Sequence, residues 1–162
     1  MTLRLFKLNK AYVKYLSTVD NKVLYNHEKN TMPYVGVVFT IKNYNYFVPL
    51  SSPKDKHRLI KENRTLTKLD NGKLGVLNHN NMIPVPRSEF EELDISKYGS
   101  QYEMLLANQQ TEIRKMQDKI KRKSKKLYDL INNSINNHSG LREFCCDFKL
   151  FEKACLEYEQ QK

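Results

Sequence analysis

Short runs with period-two alternation dominate the first half of the chain, and they predict a β-sheet. Residues 34–41 and 44–50 are rich in β-branched and aromatic side chains and are separated by Lys42 and Asn43. Because Asn43 tolerates the positive φ of a tight turn, the two runs predict a β-hairpin. Pro49 has no N–H to donate, so we expect the second strand to end there or to lie at a sheet edge.

Further short runs lie on both sides of this hairpin. Alternation over residues 3–7 predicts a first strand, and Asn9 is the predicted N-cap of the helix that follows it. After the hairpin, residues 65–69 and 74–77 flank an Asp-Asn-Gly turn, and residues 82–86 form another short run. Strands this short and this clustered predict a small, strongly bent antiparallel sheet or barrel.

Apolar residues in the C-terminal third follow a helical period. From Tyr102 onward they recur every three or four positions, as one long amphipathic helix or two helices require. The polar sequence over residues 132–140 interrupts this pattern, and a last helix is predicted from about Cys146 to Gln160. The chain is therefore predicted to be one α+β domain over residues 1–162, with a small antiparallel β-barrel core, added helices and a long C-terminal helical region.

Composition narrows the choice of partner and compartment. The chain has 162 residues and a formal net charge of +10, which favours a polyanionic partner, with nucleic acid ahead of an acidic membrane surface. No apolar run is long enough to span a bilayer and the N-terminus lacks a signal-peptide core, so we expect a cytoplasmic protein. The three cysteines and four histidines lack metal-ligand spacing, which favours reduced structural thiols, no metal and no cofactor.

The segment over residues 51–57 is the main candidate for chemistry. An apolar strand runs directly into it, and Ser52 and Asp55 have the spacing of a helix cap. Because proline is favoured in a first turn, Pro53 then predicts a helix over about residues 53–62. At its start, unpaired N–H groups would meet hydroxyls, an ammonium and an imidazole, an arrangement that suits an RNA phosphate.

Four side chains of this segment could act on a phosphodiester. Ser51 and Ser52 would donate hydrogen bonds to the non-bridging oxygens. Lys54 would stabilise the charge that grows on the phosphorane, and His57 would transfer a proton. A structural alternative, in which a helix cap is followed by solvated lysines and a surface histidine, stays open.

A second basic feature lies in the predicted C-terminal helices. A solvated helix face usually alternates its charges, whereas Asp118 is the single acidic residue between positions 114 and 126, so we favour a groove that holds an RNA backbone. Tyrosines near the hairpin could stack on unpaired bases or belong to the core. The candidate RNA-binding residues are Tyr25, Tyr34, Lys56, Arg114, Lys115, Lys119, Arg122 and Lys123.

Most of the chain resembles one known family. The specific part of the resemblance is Ser51-Ser-Pro-Lys54 after an apolar strand, and it is supported by His57, Pro33-Tyr-Val-Gly-Val-Val38 and Leu74-Gly-Val-Leu-Asn78. By these residues the chain is similar to the endoribonuclease toxins of type III toxin-antitoxin systems, the ToxN and AbiQ group. An antitoxin RNA restrains the activity of these toxins.

The resemblance implies a fold, a reaction and a set of site residues. The implied fold has a barrel core like that of the Kid and MazF toxins, and the implied reaction is metal-independent cleavage of A-rich RNA to 2′,3′-cyclic phosphate and 5′-hydroxyl ends. Ser51, Ser52 and Lys54 match the family's active-site hydroxyls and lysine. Relatives carry a basic residue where this chain has Met32, and Lys29, slightly upstream, is the candidate RNA-binding residue for that role.

The resemblance also implies partners. They are an antitoxin RNA of pseudoknot-like repeats, which the toxin processes and which inhibits it, and cellular or phage mRNA as substrate. The implied assembly is an RNA-bridged protein–RNA hetero-oligomer that acts in antiviral defence by abortive infection, with no membrane involved. The alternative is a non-catalytic basic RNA-binding module, in which the Ser-Ser-Pro-Lys turn only grips phosphate.

Overall fold

A computed structural model describes residues 2–23, 32–133 and 139–161, and these ranges form an antiparallel sheet flanked by helices. The strands are β1 (Arg4–Leu8), β2 (Tyr34–Ile41), β3 (Tyr44–Ser51), β4 (Leu66–Lys68), β5 (Val76–Asn78), β6 (Ile83–Pro84) and β7 (Phe90–Glu92). The helices are α1 (Lys10–Val19), α2 (Lys56–Leu59), α3 (Ser100–Lys115), α4 (Gln117–Asn132), α5 (Ser139–Phe144) and α6 (Phe148–Gln160). The predicted α+β class is confirmed.

The strands pair in the order β4-β5-β3-β2-β1-β7, with β6 added on β3. The predicted hairpin of β2 and β3 is confirmed, and its register places Ile41 opposite Tyr44. All the pairs are antiparallel, and β3 contacts three strands because β5 and β6 share one of its sides. Within the described ranges the sheet stays open between β4 and β7, so the predicted closed barrel is not confirmed.

Two details of the hairpin differ from the sequence prediction. Lys42, not Asn43, has the positive φ of the turn, at 55°. The strand also continues past Pro49 to Ser51, in the middle of the sheet and not at an edge. Leu50 donates its N–H toward the β2 side, so the neighbouring position, Pro49, faces the opposite side of β3. On that side Pro49 lies between the β3 residues that pair with β6 and those that pair with β5. No ladder hydrogen bond is lost there.

The helices cover the sheet and enclose the core. Asn9 caps α1 as predicted, since its side chain accepts a hydrogen bond from the N–H of Ala11 at 2.9 Å. The C-terminal pattern forms two helices that meet at Met116, and α4 packs on β2 while α6 packs on α1 and β6. The last helix begins at Phe148, two residues later than predicted, because Asp147 caps it. No helix in the described ranges is both long enough and apolar enough to cross a bilayer.

Candidate active site

The 51–57 loop connects the end of β3 to the start of α2, and its helix is shorter than predicted. It begins at Lys56 instead of Pro53, and neither Ser52 nor Asp55 caps it with a side chain. The backbone instead closes a turn in which the N–H of Lys54 donates to Nδ1 of His57 at 3.1 Å and the N–H of His57 donates to the carbonyl of Lys54 at 2.9 Å. With only one helical turn present, a helix dipole adds little to anion binding here.

The polar side chains at the start of the loop differ in exposure. Ser52 and Lys54 are exposed, and Ser51 is half-buried at the end of β3. Asn78, from the end of β5, donates its amide Nδ2 to the Ser51 hydroxyl oxygen at 2.7 Å, which leaves that hydroxyl able to donate its own hydrogen. Sequence reasoning did not identify Asn78 as part of the site, because only the pairing of β5 with β3 brings it there.

The turn over residues 70–75 packs closely against the backbone of this loop. Gly75 has a φ of +100°, and a Cβ built on it would lie 2.2 Å from the carbonyl oxygen of Ser51. Gly72 has a φ of +91°, and a Cβ built there would lie 2.3 Å from the carbonyl oxygen of His57. The two glycines therefore let the 70–75 turn approach both ends of the 51–57 loop, which no side chain at either position would allow.

His57 is buried, in contrast to the surface histidine of the structural alternative. Only 3% of the residue is exposed. Burial lowers its pKa below the ordinary value, and the neighbouring ammonium groups of Lys56, Lys54 and Lys68 lower it further. Because Nδ1 accepts a hydrogen bond, the neutral ring carries its hydrogen on Nε2.

The chain after the loop is tied to β4 and α4. The ammonium of Lys68 donates to the carbonyl oxygens of Arg58 and Ile60, at 3.1 and 2.9 Å. The Glu62 carboxylate accepts from the backbone N–H of Lys68 at 2.9 Å and from the ammonium of Lys119 at 2.7 Å. The residues that make these contacts, Lys119 among them, line a cleft of about 590 Å³ beside α2.

The predicted RNA-binding residues separate into several groups. Tyr34 is only 2% exposed and belongs to the core, so its ring cannot stack on a base, and that prediction is corrected. Tyr25 and Lys29 lie outside the described residues. The side chain of Lys123 is 15% exposed and its ammonium donates to the carbonyl of Leu66, so this lysine ties α4 to β4.

The other predicted cations face solvent. Lys56 lies in the 51–57 loop as the first residue of α2, and Arg114 and Lys115 lie in the last turn of α3. Lys119 reaches the cleft beside α2, although it is paired with Glu62. Arg122 is exposed on α4 and lines a second cleft of about 490 Å³. Lys56 thus lies within the 51–57 loop, Lys119 lines the cleft beside α2, and Arg122 lines a different cleft.

The sequence model of one protein family, described as toxin ToxN of type III toxin-antitoxin systems, matches residues 4–156. This chain belongs to that family. Endoribonuclease ToxN of Bacillus thuringiensis subsp. kurstaki is 35% identical to this toxin over 161 residues, which cover 95% of this toxin and 83% of the relative. Endoribonuclease AbiQ of Lactococcus lactis subsp. lactis is 35% identical over 172 residues, covering 99% and 92%.

Solved structures agree with this assignment. One is from a bacterial type III system in which a non-coding RNA pseudoknot selectively inhibits the toxin, with a TM-score of 0.87, 33% identity and coverage of 98% of this toxin and 99% of that chain. The structure of AbiQ, a lactococcal anti-phage endoribonuclease, gives a TM-score of 0.87 and 34% identity, covering 99% of both chains. The predicted family is confirmed, and the activity of these relatives is of the predicted enzyme class.

Proposed function

We propose that this toxin is a metal-independent endoribonuclease that cleaves A-rich RNA at the 51–57 loop and leaves 2′,3′-cyclic phosphate and 5′-hydroxyl ends. The supporting observation is the loop itself. Ser51, Ser52 and the exposed Lys54 lie on one loop, and two hydrogen bonds between Lys54 and His57 close the turn at its end. The family and the endoribonucleases within it give the reaction class.

The reaction needs orientation and charge stabilisation more than it needs a cofactor. The 2′-oxygen of the substrate attacks the adjacent phosphorus while the bond to the 5′-oxygen breaks, and the 2′-hydroxyl proton is transferred overall to the leaving oxygen. In the proposed arrangement Ser51 and Ser52 donate to the non-bridging oxygens and hold the diester in line. Lys54 stabilises the added negative charge of the phosphorane. Atoms and charge balance without water or a metal ion.

Replacement of Lys54 tests the assignment. We expect Lys54→Ala to abolish RNA cleavage and relieve growth inhibition, because it removes the ammonium that the proposal places at the phosphorane. Folding and antitoxin binding should persist, since the Lys54 side chain is exposed. Lys14→Ala, which removes an exposed lysine on α1, is the matched control and should cleave normally. Full cleavage by Lys54→Ala would refute the assignment, and intact RNA with the unaltered toxin would favour the non-catalytic module.

We further propose that an antitoxin RNA of pseudoknot-like repeats inhibits this toxin, is processed by it and bridges it into a protein–RNA hetero-oligomer. A related toxin is inhibited by an RNA pseudoknot. The net charge of +10 and the exposed cations favour such a partner. Cellular or phage mRNA is the proposed substrate, in keeping with the anti-phage activity of AbiQ. The proposed backbone contacts are Lys56, Arg114, Lys115, Lys119 and Arg122, with Tyr25 and Lys29 as contacts from outside the described ranges.

We also propose that the bent sheet is the counterpart of the Kid and MazF barrel core. The support is β3, which pairs with β2 on one side and with both β5 and β6 on the other. β5 and β6 pair with different segments of β3, so their pairings are staggered along it, and a closed barrel requires a stagger between strands. Superposition of the strands on those toxins would test the proposal, and strands that follow a different path would exclude it.

A further inference from the structure

We propose that His57 is a positioning residue, whose neutral ring accepts the Lys54 N–H and thereby aims the Lys54 ammonium at the scissile phosphate. This inference rests on the proposed function and assigns His57 a different task from the proton transfer expected from the sequence. It also predicts which atoms of the ring matter. Nδ1 is needed as the acceptor of the Lys54 N–H, and no proton passes between the ring and the RNA.

The hydrogen bonds between Lys54 and His57 form a closed unit. The ring accepts from the Lys54 N–H at 3.1 Å, and the Lys54 carbonyl accepts from the His57 N–H at 2.9 Å. Both polar backbone atoms of Lys54 are therefore held by one neighbouring residue. Because the side chain of Lys54 is exposed and long, the direction in which it leaves the backbone decides where its ammonium can reach.

The same geometry argues against proton transfer by the ring. A neutral imidazole has one unprotonated nitrogen, and here Nδ1 is already occupied as the acceptor. Nε2 then carries a hydrogen and has no lone pair with which to take the proton of a 2′-hydroxyl. Only 3% of the residue is exposed, so substrate has little access to the ring.

The surroundings of His57 keep the ring neutral. The charged groups that act on it are Lys56 on its own helix, Lys54 in the loop and Lys68 on β4, and all three are cationic. The 70–75 turn meets the backbone of His57 through Gly72, and the charged residues of that turn, Asp70 and Lys73, are exposed. Burial and these cations lower the pKa of His57 below the ordinary value of 6.5. Protonation at lower pH would place a hydrogen on Nδ1 and break its bond to Lys54.

Three replacements of His57 distinguish a ring that accepts a hydrogen bond from a ring that transfers a proton. In His57→Asn, Oδ1 stands as many bonds from the backbone as Nδ1 and can accept the Lys54 N–H, but it cannot carry a proton. In His57→Gln the acceptor is one bond further away, and His57→Ala has none. The measurements are single-turnover cleavage of an A-rich RNA, affinity for that RNA and the pH dependence of cleavage, each with thermal unfolding as a check on folding.

We expect His57→Asn to cleave within about 10-fold of the unaltered toxin, the scale of one weakened hydrogen bond. His57→Gln and His57→Ala should be slower by about 100-fold, the effect of a catalytic group displaced by about 1 Å. RNA affinity should change by less than about 3-fold in all three variants, a free-energy change of under about 0.7 kcal/mol. Cleavage by the unaltered toxin should fall only as the pH drops through the pKa of His57, which lies below 6.5, and His57→Asn should lack that decline.

The opposite results would overturn the inference. If folded His57→Asn is as slow as His57→Ala, the ring acts as a proton carrier, and if His57→Ala cleaves normally, the ring does not position Lys54. A measurement on the unaltered toxin needs no variant, because ¹⁵N NMR reports the tautomer of His57. Hydrogen on Nε2 with unprotonated Nδ1 is expected, and hydrogen on Nδ1 would contradict the proposal. Failure of the proposed function would show separately, as normal cleavage by Lys54→Ala.

Discussion

Gly75 shows how much of the site depends on a single missing side chain. A Cβ at this position would lie 2.2 Å from the carbonyl oxygen of Ser51, and the backbone there has a φ of +100°. We expect Gly75→Ala to destabilise the fold by about 1–3 kcal/mol and to slow cleavage, because the β3 end of the 51–57 loop must move. Urea unfolding and cleavage rates measure both effects.

Gly99→Ala is the matched control for that substitution. Gly99 precedes α3, and a Cβ built on it would have no heavy atom within 4 Å. Its unfolding free energy should stay within about 0.5 kcal/mol of the unaltered toxin. Equal stability and equal cleavage rates in Gly75→Ala and Gly99→Ala would show that the close approach of the 70–75 turn does not shape the loop.

His79 predicts how the stability of the toxin depends on pH. It is fully buried, with Thr67 Oγ1 at 2.7 Å from Nε2 and Ser124 Oγ at 2.9 Å from Nδ1. Burial, and then the charges of Lys123 and Lys119, lower the pKa of His79 to about 3, from 6.5. As the pH falls, His79 therefore takes up a proton in the unfolded chain before it does so in the folded toxin. The free energy of unfolding should fall by about 1.4 kcal/mol per pH unit as the pH drops from 6.5 toward 3.

A His79→Gln variant isolates this contribution. Carboxylates also lose their charge in acid, but they do so in both proteins, so the difference between the two proteins reports the histidine. Between pH 7 and pH 4.5 the unaltered toxin should lose about 2–3 kcal/mol more than His79→Gln, as measured by urea unfolding. Equal losses would contradict the buried neutral ring.

Single residues were predicted well where their neighbours in sequence decide their surroundings. Ser51, Ser52 and Lys54 occupy the loop that the sequence indicated, and Asn9 caps α1. For Tyr34 the sequence left both base stacking and burial open, because alternation along a strand marks two faces without saying which of them the helices will cover. The burial of His57 depends on the 70–75 turn, which its own sequence neighbourhood does not contain.

At the scale of elements, Glu152 joins three of them in the core. This buried carboxylate on α6 accepts from the hydroxyl of Tyr46 on β3 at 2.7 Å and from the hydroxyl of Tyr128 on α4 at 2.6 Å. Burial first, and then the hydrogen bond to Glu152, raise the pKa of both tyrosines, so both hydroxyls stay protonated as donors. Glu152 thereby sets the packing of α4 and α6 on the sheet.

Glu152→Gln should destabilise the toxin, because the amide replaces one acceptor oxygen with an NH₂ donor, and the hydroxyls of Tyr46 and Tyr128 at this site are donors as well. We expect a loss of about 1–3 kcal/mol in the free energy of unfolding by urea. Glu157→Gln, at an exposed position on the same helix, is the control and should be close to neutral. If the two variants are equally stable, the carboxylate does not join the three elements.

The elements that were predicted less well are those whose length or place in the sheet depends on contacts between residues distant in sequence. The predicted helix over residues 53–62 shrinks to α2 because the N–H of Lys54 bonds to the His57 ring and because Lys68 takes the carbonyls of Arg58 and Ile60. The hairpin was predicted because turn and strand signals are local. The pairing of β3 with β5 and β6, which lets Pro49 lie inside the sheet, could not be read from those signals.

At the scale of the whole molecule, charge governs how RNA is held. With a formal net charge of +10, the toxin should bind RNA more weakly as salt rises, since bound cations release counterions from the phosphates. Arg122→Gln removes one exposed cation on α4 and should reduce the slope of log affinity against log salt by about 0.7. Lys14→Gln on α1 should leave the slope unchanged, and an equal effect of both variants would mean that binding follows net charge alone.

The family could be recognised from the sequence because its most specific residues are contiguous, from Ser51 to Lys54. The α+β class followed from a change of hydrophobic period, which is also a local property. Closure of a barrel was predicted as well, but it depends on which strands meet at the two ends of the sheet, and β4 and β7 are not paired in the described residues. Sequence patterns therefore indicated the parts and the chemistry better than the closure of the whole.

The most direct test of the central claim is the chemistry of the RNA ends. Purified toxin is incubated with A-rich RNA in the presence of a chelator, and the termini of the fragments are identified. Attack by the 2′-oxygen beside Lys54 predicts 2′,3′-cyclic phosphate and 5′-hydroxyl ends from the unaltered toxin, and no fragments from Lys54→Ala. Intact RNA under chelation, or fragments with 3′-hydroxyl and 5′-phosphate ends, would contradict the account.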